Sequence, residues 1–199
     1  MSFHPSMDYG RGHHRSARAL PDEGPAFVYT AERRATLDEI LGHYPPDQRK
    51  SAILAALYLV QAQQGYITHN GMRHVAEVIG CTSAEVEDVV SFYTMFYTRP
   101  VGRHVIQVCR TLSCALMGAE RVSEEIASAL GIQPGETDAA GEFTLHEVEC
   151  LGACDRAPVI AVNDDWHECQ RPEDIRALID GLRARGAAAL TGCHLKVEK

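Results

Sequence analysis

The chain has 199 residues, of which 45% are hydrophobic and 23% charged, as in ordinary globular proteins whose core needs no disulfide staples. Its net charge of −8 would repel a phosphate backbone, so we expect no nucleic-acid partner. The longest apolar run, Ala52 to Val60, is about half of what a membrane span requires, so no direct span is expected. Met1 to Gly24 lacks the apolar core of a secretory signal, and seven cysteines is an odd number. Both observations favour a reducing cytoplasm.

Residues 1–30 are predicted to be a flexible tail, because the polar, Pro/Gly-rich stretch from His13 to Pro25 has too little apolar surface to order itself. The histidines of this tail, His4, His13 and His14, could bind a metal, but solvated side chains are the simpler interpretation. Three further regions are predicted: a helical bundle domain at residues 31–99, an α/β domain at residues 100–185 and a C-terminal tail at residues 186–199.

Four short helices are predicted in the first domain: residues 36–44, 47–64 and 70–79, and a fourth that runs to about residue 91. Pro45-Pro46 stops the first helix, and Gly65 and Gly80 are C-caps of the second and third. Thr82 and Glu85 form a capping box that starts the fourth. Short connections favour a compact bundle. An aromatic run follows, Phe92, Tyr93, Phe96 and Tyr97, which is typical of packing or of a docking patch.

From about Pro100 the pattern changes to short strands that alternate with helices. Strands are predicted at residues 104–108, 143–148, 158–162 and 165–168, and helices at residues 113–130 and from Pro172 to about Leu182. Asn163-Asp164 favours a hairpin turn between the last two strands. This order of elements predicts an α/β (α+β) fold class, with helices packed on a mixed four-stranded sheet.

Four of the seven cysteines form two pairs, Cys109 with Cys114 (C-x4-C) and Cys150 with Cys154 (C-x3-C). Each pair follows a predicted strand, so adjacent strands would bring both loops to the same edge of the sheet. Four thiolates on two facing loops suit a 2Fe–2S cluster, which takes two sulfurs per iron. Gly152 would let the backbone donate N–H groups to sulfur, and a helix start at Cys114 favours thiolate charge.

Three other interpretations of these cysteines stay open on spacing alone. Structural zinc also needs four ligands, but zinc knuckles favour C-x2-C turns. Disulfides are disfavoured by the expected compartment, and singly buried cysteines do not account for two spaced pairs. The plant-type ferredoxin spacing C-x4-C-x2-C is not matched, so a different cluster fold is expected.

Longer strings around the cysteines resemble a known family. The segments at residues 108–114, 118–119, 149–154 and 157–159 are similar to the E subunit of NADH:quinone oxidoreductase (respiratory complex I), with upstream matches at residues 51–54, 63–66 and 90–96. The resemblance covers roughly residues 33–185. Tyr66 stands where the family often has tryptophan, and residues 139–141 replace a more usual Asp-Gly; neither departure touches a cysteine of the two pairs.

This resemblance implies a thioredoxin-like 2Fe–2S domain at residues 100–185, with Cys109, Cys114, Cys150 and Cys154 as the ligands of one cluster. It implies a partner subunit that carries FMN and binds NADH, within a larger respiratory complex. The chain would exchange single electrons with that flavin, in the cytoplasm and peripheral to the inner face of the membrane. The aromatic run at residues 92–97 is the candidate surface for this flavoprotein.

The expected function is therefore electron transfer as a subunit of an NADH dehydrogenase (quinone). The chain is not expected to be catalytic alone, because it has no nucleophile–base pair, nucleotide-binding glycine loop or paired acids. Similar subunits serve NAD-reducing hydrogenases and NAD-dependent formate dehydrogenases, so an equivalent diaphorase role is an alternative. A zinc-stabilised binding module is the alternative from another class. A thiol–disulfide enzyme is disfavoured because no C-x-x-C is present.

Three cysteines lie outside the two pairs. Cys81 precedes a helix cap and is expected to be a small core residue. Cys169, near the last predicted strand, and Cys193, in the C-terminal tail, have no expected cluster role. If one of them is functional, Cys169 is favoured because it lies inside the folded domain.

Overall fold

The computed structural model describes residues 22–186. These residues belong to two compact units that divide after Pro100. We call residues 22–100 the helical unit and residues 101–186 the sheet unit. Within residues 22–186, no helix is both long enough and apolar enough to cross a membrane.

The extended segment at the start of the helical unit is packed against its core. Phe27 and Tyr29 are 8% and 6% exposed, and the Tyr29 hydroxyl donates to the Ala56 carbonyl at 2.9 Å. The flexible tail predicted for residues 1–30 is therefore too long, because two aromatic side chains bury enough apolar area to order residues that composition marks as a tail. The rest of that prediction lies outside the described residues, with His4, His13 and His14.

The helical unit contains α1 (Ala31–Gly42), a 3-10 segment (Pro46–Ala52), α2 (Ile53–Gln64), α3 (His69–Ile79) and α4 (Ser83–Phe92). The first helix begins at Ala31 and ends at Gly42, earlier at both ends than the predicted residues 36–44. The predicted C-caps and capping box of the later helices are confirmed. Gly65 and Gly80 end α2 and α3 in the left-handed conformation, and Thr82 and Glu85 form the capping box of α4. The predicted second helix begins instead as the 3-10 segment, in which Gln48 has non-helical dihedral angles.

The aromatic run at the end of α4 divides between core and surface. Phe96 is 6% exposed and Tyr93 packs partly buried against the same core. Phe92 is 75% exposed, and its ring meets that of Tyr93 edge to face at 5.0 Å. Of these three residues, Phe92 is the one that could contribute a large apolar surface to the docking patch predicted for this run.

The sheet unit is built on a mixed four-stranded sheet, as predicted. Its strands are β1 (His104–Cys109), β2 (Phe143–Val148), β3 (Ile160–Val162) and β4 (Asp165–His167), in the spatial order β2-β1-β3-β4. β1 and β2 are parallel, whereas β1 with β3 and β3 with β4 are antiparallel. The helices are α5 (Leu112–Leu116), α6 (Ala119–Leu130) and α7 (Pro172–Arg185). The α/β fold class is confirmed.

The single helix predicted for residues 113–130 is two helices. Gly118 stands between α5 and α6 with φ 92°, a left-handed conformation that glycine adopts without a steric penalty. The turn ends α5 after five residues. Sequence periodicity could not locate this break, because an isolated glycine is tolerated within a helical pattern.

The predicted turn between β3 and β4 is confirmed at Asn163, whose φ is 54°. The Asn163 side-chain oxygen accepts the Val105 N–H at 2.9 Å, and the Asn163 N–H donates to the Val105 carbonyl at 2.9 Å. Both hydrogen bonds hold the turn against β1. Helix α7 begins at the predicted Pro172.

Gly102, just before β1, lies directly against the backbone of β2. A Cβ added to Gly102 would stand 2.7 Å from both the N and C atoms of Phe143, and the Gly102 N–H donates to the Thr144 hydroxyl at 2.7 Å. The backbone of a paired strand yields less easily than a flexible side chain. We therefore expect Gly102→Ala to lower the free energy of unfolding by about 1–3 kcal/mol, measured by chemical denaturation.

Gly42 is the matched control for this substitution. A Cβ at Gly42 would meet no atom within 4 Å, and alanine is the better helix former at the end of α1. Gly42→Ala is therefore expected to leave stability unchanged or slightly raised. A Gly102→Ala chain as stable as the parent would contradict the steric contact with β2.

Candidate metal centre

The loops after β1 and β2 meet at one edge of the sheet. Cys109, the last residue of β1, is in register with Val148, the last residue of β2. The Arg110 N–H donates to the Val148 carbonyl at 3.0 Å, and Cys150 follows in the loop after β2. Parallel neighbouring strands end at the same edge, so the two cysteine pairs approach each other although they are distant in sequence. The predicted meeting of the two loops is confirmed.

The four thiols form two pairs that differ in exposure. Cys109 and Cys114, the inner pair, are each 1% exposed and are hydrogen-bonding partners. Cys150 and Cys154, the outer pair, are exposed, and their sulfurs are 3.4 Å apart. Two thiolates on one tetrahedral metal, with bonds of about 2.3 Å, are about 3.8 Å apart. The outer pair is therefore spaced nearly as two ligands of one metal ion would be.

Hydrogen-bond donors surround the four sulfurs. The Gly152 N–H donates to Cys150 Sγ at 3.3 Å, which confirms the role predicted for this glycine. The Thr111 hydroxyl lies 3.2 Å from Cys109 Sγ. Further hydrogen bonds to the sulfurs come from the Ser113 side chain and from the backbone of Thr111, Leu151 and Val159. Because such donors stabilise negative charge on sulfur, the site fits an anionic iron–sulfur group.

Burial and these contacts together set the pKa values of the thiols. Burial raises the pKa of Cys114 to about 11, and the neighbouring Cys150 sulfur raises the pKa of Cys154. The Gly152 N–H lowers the pKa of Cys150. Burial opposes ionisation of Cys109 as well, but hydrogen bonds from Thr111 and Leu151 outweigh it and lower the pKa. Each pair thus combines a thiol that ionises readily with one that holds its proton, and metal binding to four thiolates would release protons.

Exposed apolar side chains border the site, and sequence reasoning missed them. Leu112, Leu116 and Met117 are 75%, 77% and 64% exposed; they belong to α5 or follow it directly, and we call them the apolar rim. Leu116 and Met117 lay within the single helix predicted for residues 113–130, and Gly118 was the sequence signal for its earlier end. The loop after β2 is also near an aromatic side chain. The ring of Trp166, in β4, lies 3.8 Å from where a Cβ on Gly152 would stand.

The remaining described cysteines lie outside the two pairs. Cys81 is partly buried against the helical core, as predicted. Cys169 is exposed, and its N–H donates to the Arg156 carbonyl at 2.7 Å. Cys193 lies outside the described residues. In the part of the chain that is described, no three His, Cys, Asp or Glu side chains are grouped to hold a single metal ion; the thiols stand as the two pairs, and a 2Fe–2S cluster takes two on each iron.

The fold is shared with solved redox enzymes. An NAD+-reducing NiFe hydrogenase in its H2-reduced state aligns with a TM-score of 0.60 at 20% identity, over 71% of this chain and 25% of that chain. The air-oxidized state of such an enzyme also gives a TM-score of 0.60, at 22% identity, over 71% of this chain and 24% of that chain. The match spans about a quarter of those chains and at this identity establishes the fold alone.

Sequence relatives establish the family. The thioredoxin-like 2Fe–2S ferredoxin family matches residues 37–183, which include both cysteine pairs, and the chain belongs to this family. The E subunit of the NADH-quinone oxidoreductase of Mycobacterium tuberculosis is 41% identical over 175 residues, 82% of this chain and 69% of the relative. NADH-quinone oxidoreductase subunit 2 of Thermus thermophilus is 42% identical over 154 residues, 77% of this chain and 85% of the relative. The resemblance of the segments around the cysteines to the E subunit of NADH:quinone oxidoreductase is confirmed.

Proposed function

We propose that this chain is the electron-carrying E subunit of an NADH-quinone oxidoreductase, with one 2Fe–2S cluster held by Cys109, Cys114, Cys150 and Cys154. The observation that carries the proposal is the pair of facing loops, each with two thiols placed together, at one edge of the sheet. Relatives at 41% and 42% identity that bear such names support the host complex. When bound, the cluster supplies reversible one-electron redox chemistry.

The two cysteine pairs have different roles at this site. Cys109 and Cys114 are enclosed by the core of the sheet unit, which fixes their positions and excludes water. Cys150 and Cys154 are exposed and lie nearest to any electron partner. Because electron transfer slows steeply as two redox centres move apart, the partner approaches on the side of the outer pair.

The partner is a flavoprotein subunit that carries FMN and binds NADH, and it docks on the apolar rim. Leu112, Leu116 and Met117 are exposed beside the thiols, where a partner must approach for electron transfer. A cluster of exposed apolar side chains at such a position has the composition of an interface core. This surface differs from the aromatic run expected from the sequence, in which Phe92 is the residue with a largely exposed ring.

The chain works in the cytoplasm and is held at the inner face of the membrane through the rest of the complex. The proposed cluster requires four cysteines in the reduced state, which a reducing compartment maintains. Relatives that are subunits of a quinone-reducing complex support the association with a membrane-bound assembly.

The equivalent subunit of an NAD+-reducing hydrogenase is the second candidate. Two such enzymes contain the same fold, with a TM-score of 0.60, so the fold accommodates this role as well. Purification of the native complex distinguishes the two hosts. A quinone-reducing assembly supports the first candidate, and a nickel-containing assembly that reduces NAD+ with H2 supports the second.

Metal analysis and EPR of the purified chain test the cofactor. We expect a coloured protein with about two irons per chain and a rhombic EPR signal after reduction with dithionite. In the complex with its flavoprotein, the cluster is expected to accept one electron from reduced flavin. A colourless protein with zinc and no EPR signal would establish the zinc-stabilised binding module instead. A cluster that stays oxidised beside fully reduced flavin would contradict the electron exchange.

A further inference from the structure

Four threonines stand at helix N-caps among residues 22–186, and one of them does not cap its helix. The hydroxyls of Thr30, Thr68 and Thr82 each accept the N–H of the third residue of their helix, the usual role of an N-cap threonine. Thr111 stands at the N-cap of α5 with extended dihedral angles, φ −78° and ψ 170°, but its side chain makes no capping hydrogen bond. Its Oγ1 lies 3.2 Å from Cys109 Sγ instead.

The Thr111 hydroxyl lies between the inner and the outer pair. It contacts Cys109 and is also a hydrogen-bonding partner of Cys150, so one hydroxyl reaches sulfurs on both loops. A hydroxyl carries a single hydrogen. When the sulfurs are metal-bound thiolates they carry no proton, so the hydroxyl must be the donor.

Several other donors to the sulfurs do not depend on the Thr111 side chain. Cys109 also receives backbone hydrogen bonds from Thr111 and Leu151, and Cys150 receives the Gly152 N–H. Backbone donors remain when only the Thr111 side chain is changed. A substitution at this position therefore isolates the contribution of one hydroxyl.

We propose that Thr111 is a positioning residue of the redox site, whose hydroxyl donates to ligand sulfur and raises the reduction potential of the cluster. The inference rests on the proposed function, since it requires a cluster on the four thiolates. Reduction adds one negative charge, and a hydrogen bond to a more negative sulfur is stronger, so the donor stabilises the reduced state more than the oxidised state. Loss of the hydroxyl is expected to shift the equilibrium about tenfold towards the oxidised cluster, which is about 59 mV for a one-electron couple.

Redox titration of Thr111→Val and Thr111→Ser, followed by EPR on the full chain with its cluster, tests this role. Valine replaces the hydroxyl by a methyl group at nearly constant shape, and serine keeps the hydroxyl without the methyl. We expect Thr111→Val to lower the midpoint potential and Thr111→Ser to stay with the parent. An unchanged midpoint in Thr111→Val would overturn the inference, as would equal shifts in both variants. A parent chain without any cluster signal would instead overturn the proposed function.

A second readout keeps Thr111 itself in place and applies even where Thr111→Val does not assemble a cluster. Ser113→Ala removes the second hydroxyl that contacts a sulfur among residues 22–186 and leaves Thr111. Pulsed ENDOR of this reduced variant, before and after millisecond exchange into D2O, detects a hydroxyl proton coupled to the cluster, because at neutral pH a hydroxyl proton exchanges far faster than even an exposed backbone amide such as that of Gly152. A rapidly exchanging coupled proton is expected, and its absence would overturn the inference.

Discussion

The Cys150→Ala chain is expected to purify without the 2Fe–2S EPR signal, with its iron content reduced from about two per chain to nearly none. Three thiolates leave one iron with a single protein ligand, and the outer pair loses the thiol whose pKa the Gly152 N–H lowers. Cys150 is exposed, so alanine there leaves no cavity in the core. The circular dichroism of the metal-free variant should therefore match that of the metal-free parent, which separates loss of ligation from loss of folding.

Cys169→Ala is the matched control for this prediction. Cys169 is also an exposed thiol of the sheet unit, but it belongs to neither pair. Its replacement is expected to leave iron content and EPR signal at the values of the parent. An unchanged rhombic signal in Cys150→Ala would remove Cys150 from the ligand set, and a loss of signal in Cys169→Ala would bring Cys169 into it.

Leu116→Lys is expected to weaken binding of the flavoprotein subunit by about 30-fold or more, the effect of losing an interface hot spot of about 2 kcal/mol. Leu116 is the last residue of α5 and is 77% exposed, so the change removes apolar contact area and introduces a charge that the interface would have to desolvate. A lysine at a helix C-terminus is compatible with the helix dipole. Titration calorimetry with the purified flavoprotein measures the affinity, and EPR of the variant confirms that its cluster is intact.

Phe92→Lys is the control, matched in exposure and in position on its helix. Phe92 is the last residue of α4 and is 75% exposed, and it belongs to the aromatic run that the sequence offered as the docking patch. We expect this variant to bind the flavoprotein as the parent does. Normal binding by Leu116→Lys together with weak binding by Phe92→Lys would reverse the assignment and place the interface on the aromatic run.

Local patterns in the sequence predicted most of the secondary structure. Gly65 and Gly80 end helices because glycine adopts the left-handed conformation without a steric penalty, and the Thr82–Glu85 box starts α4 within one turn of chain. The turn at Asn163 follows from the same kind of short-range preference. Each of these signals depends on neighbouring residues, so it can be interpreted without the rest of the fold.

Short-range patterns could not predict that residues 22–30 have an ordered conformation, nor where α5 ends. Phe27 and Tyr29 are ordered because the helices bury them, and composition within a short segment contains no information on that burial. Gly118 ends α5 by taking a positive φ, although glycine occurs within many helices. In both cases distant parts of the chain or the packing of the unit decide between local conformations of similar free energy.

For the site, residue type and spacing already indicated which thiols could act together, since two spaced pairs after two strands favour a metal or cluster with four sulfur ligands. The burial of Cys109 and Cys114 and the exposure of Cys150 and Cys154 follow from the folded structure. The folded structure also decided that the Thr111 hydroxyl turns to sulfur and not to the helix that it precedes. Residue type and spacing can be interpreted along the chain, so they were sufficient to propose the four thiols. Burial and hydrogen-bond direction depend on which residues the parallel pairing of β1 and β2 brings to the same edge of the sheet.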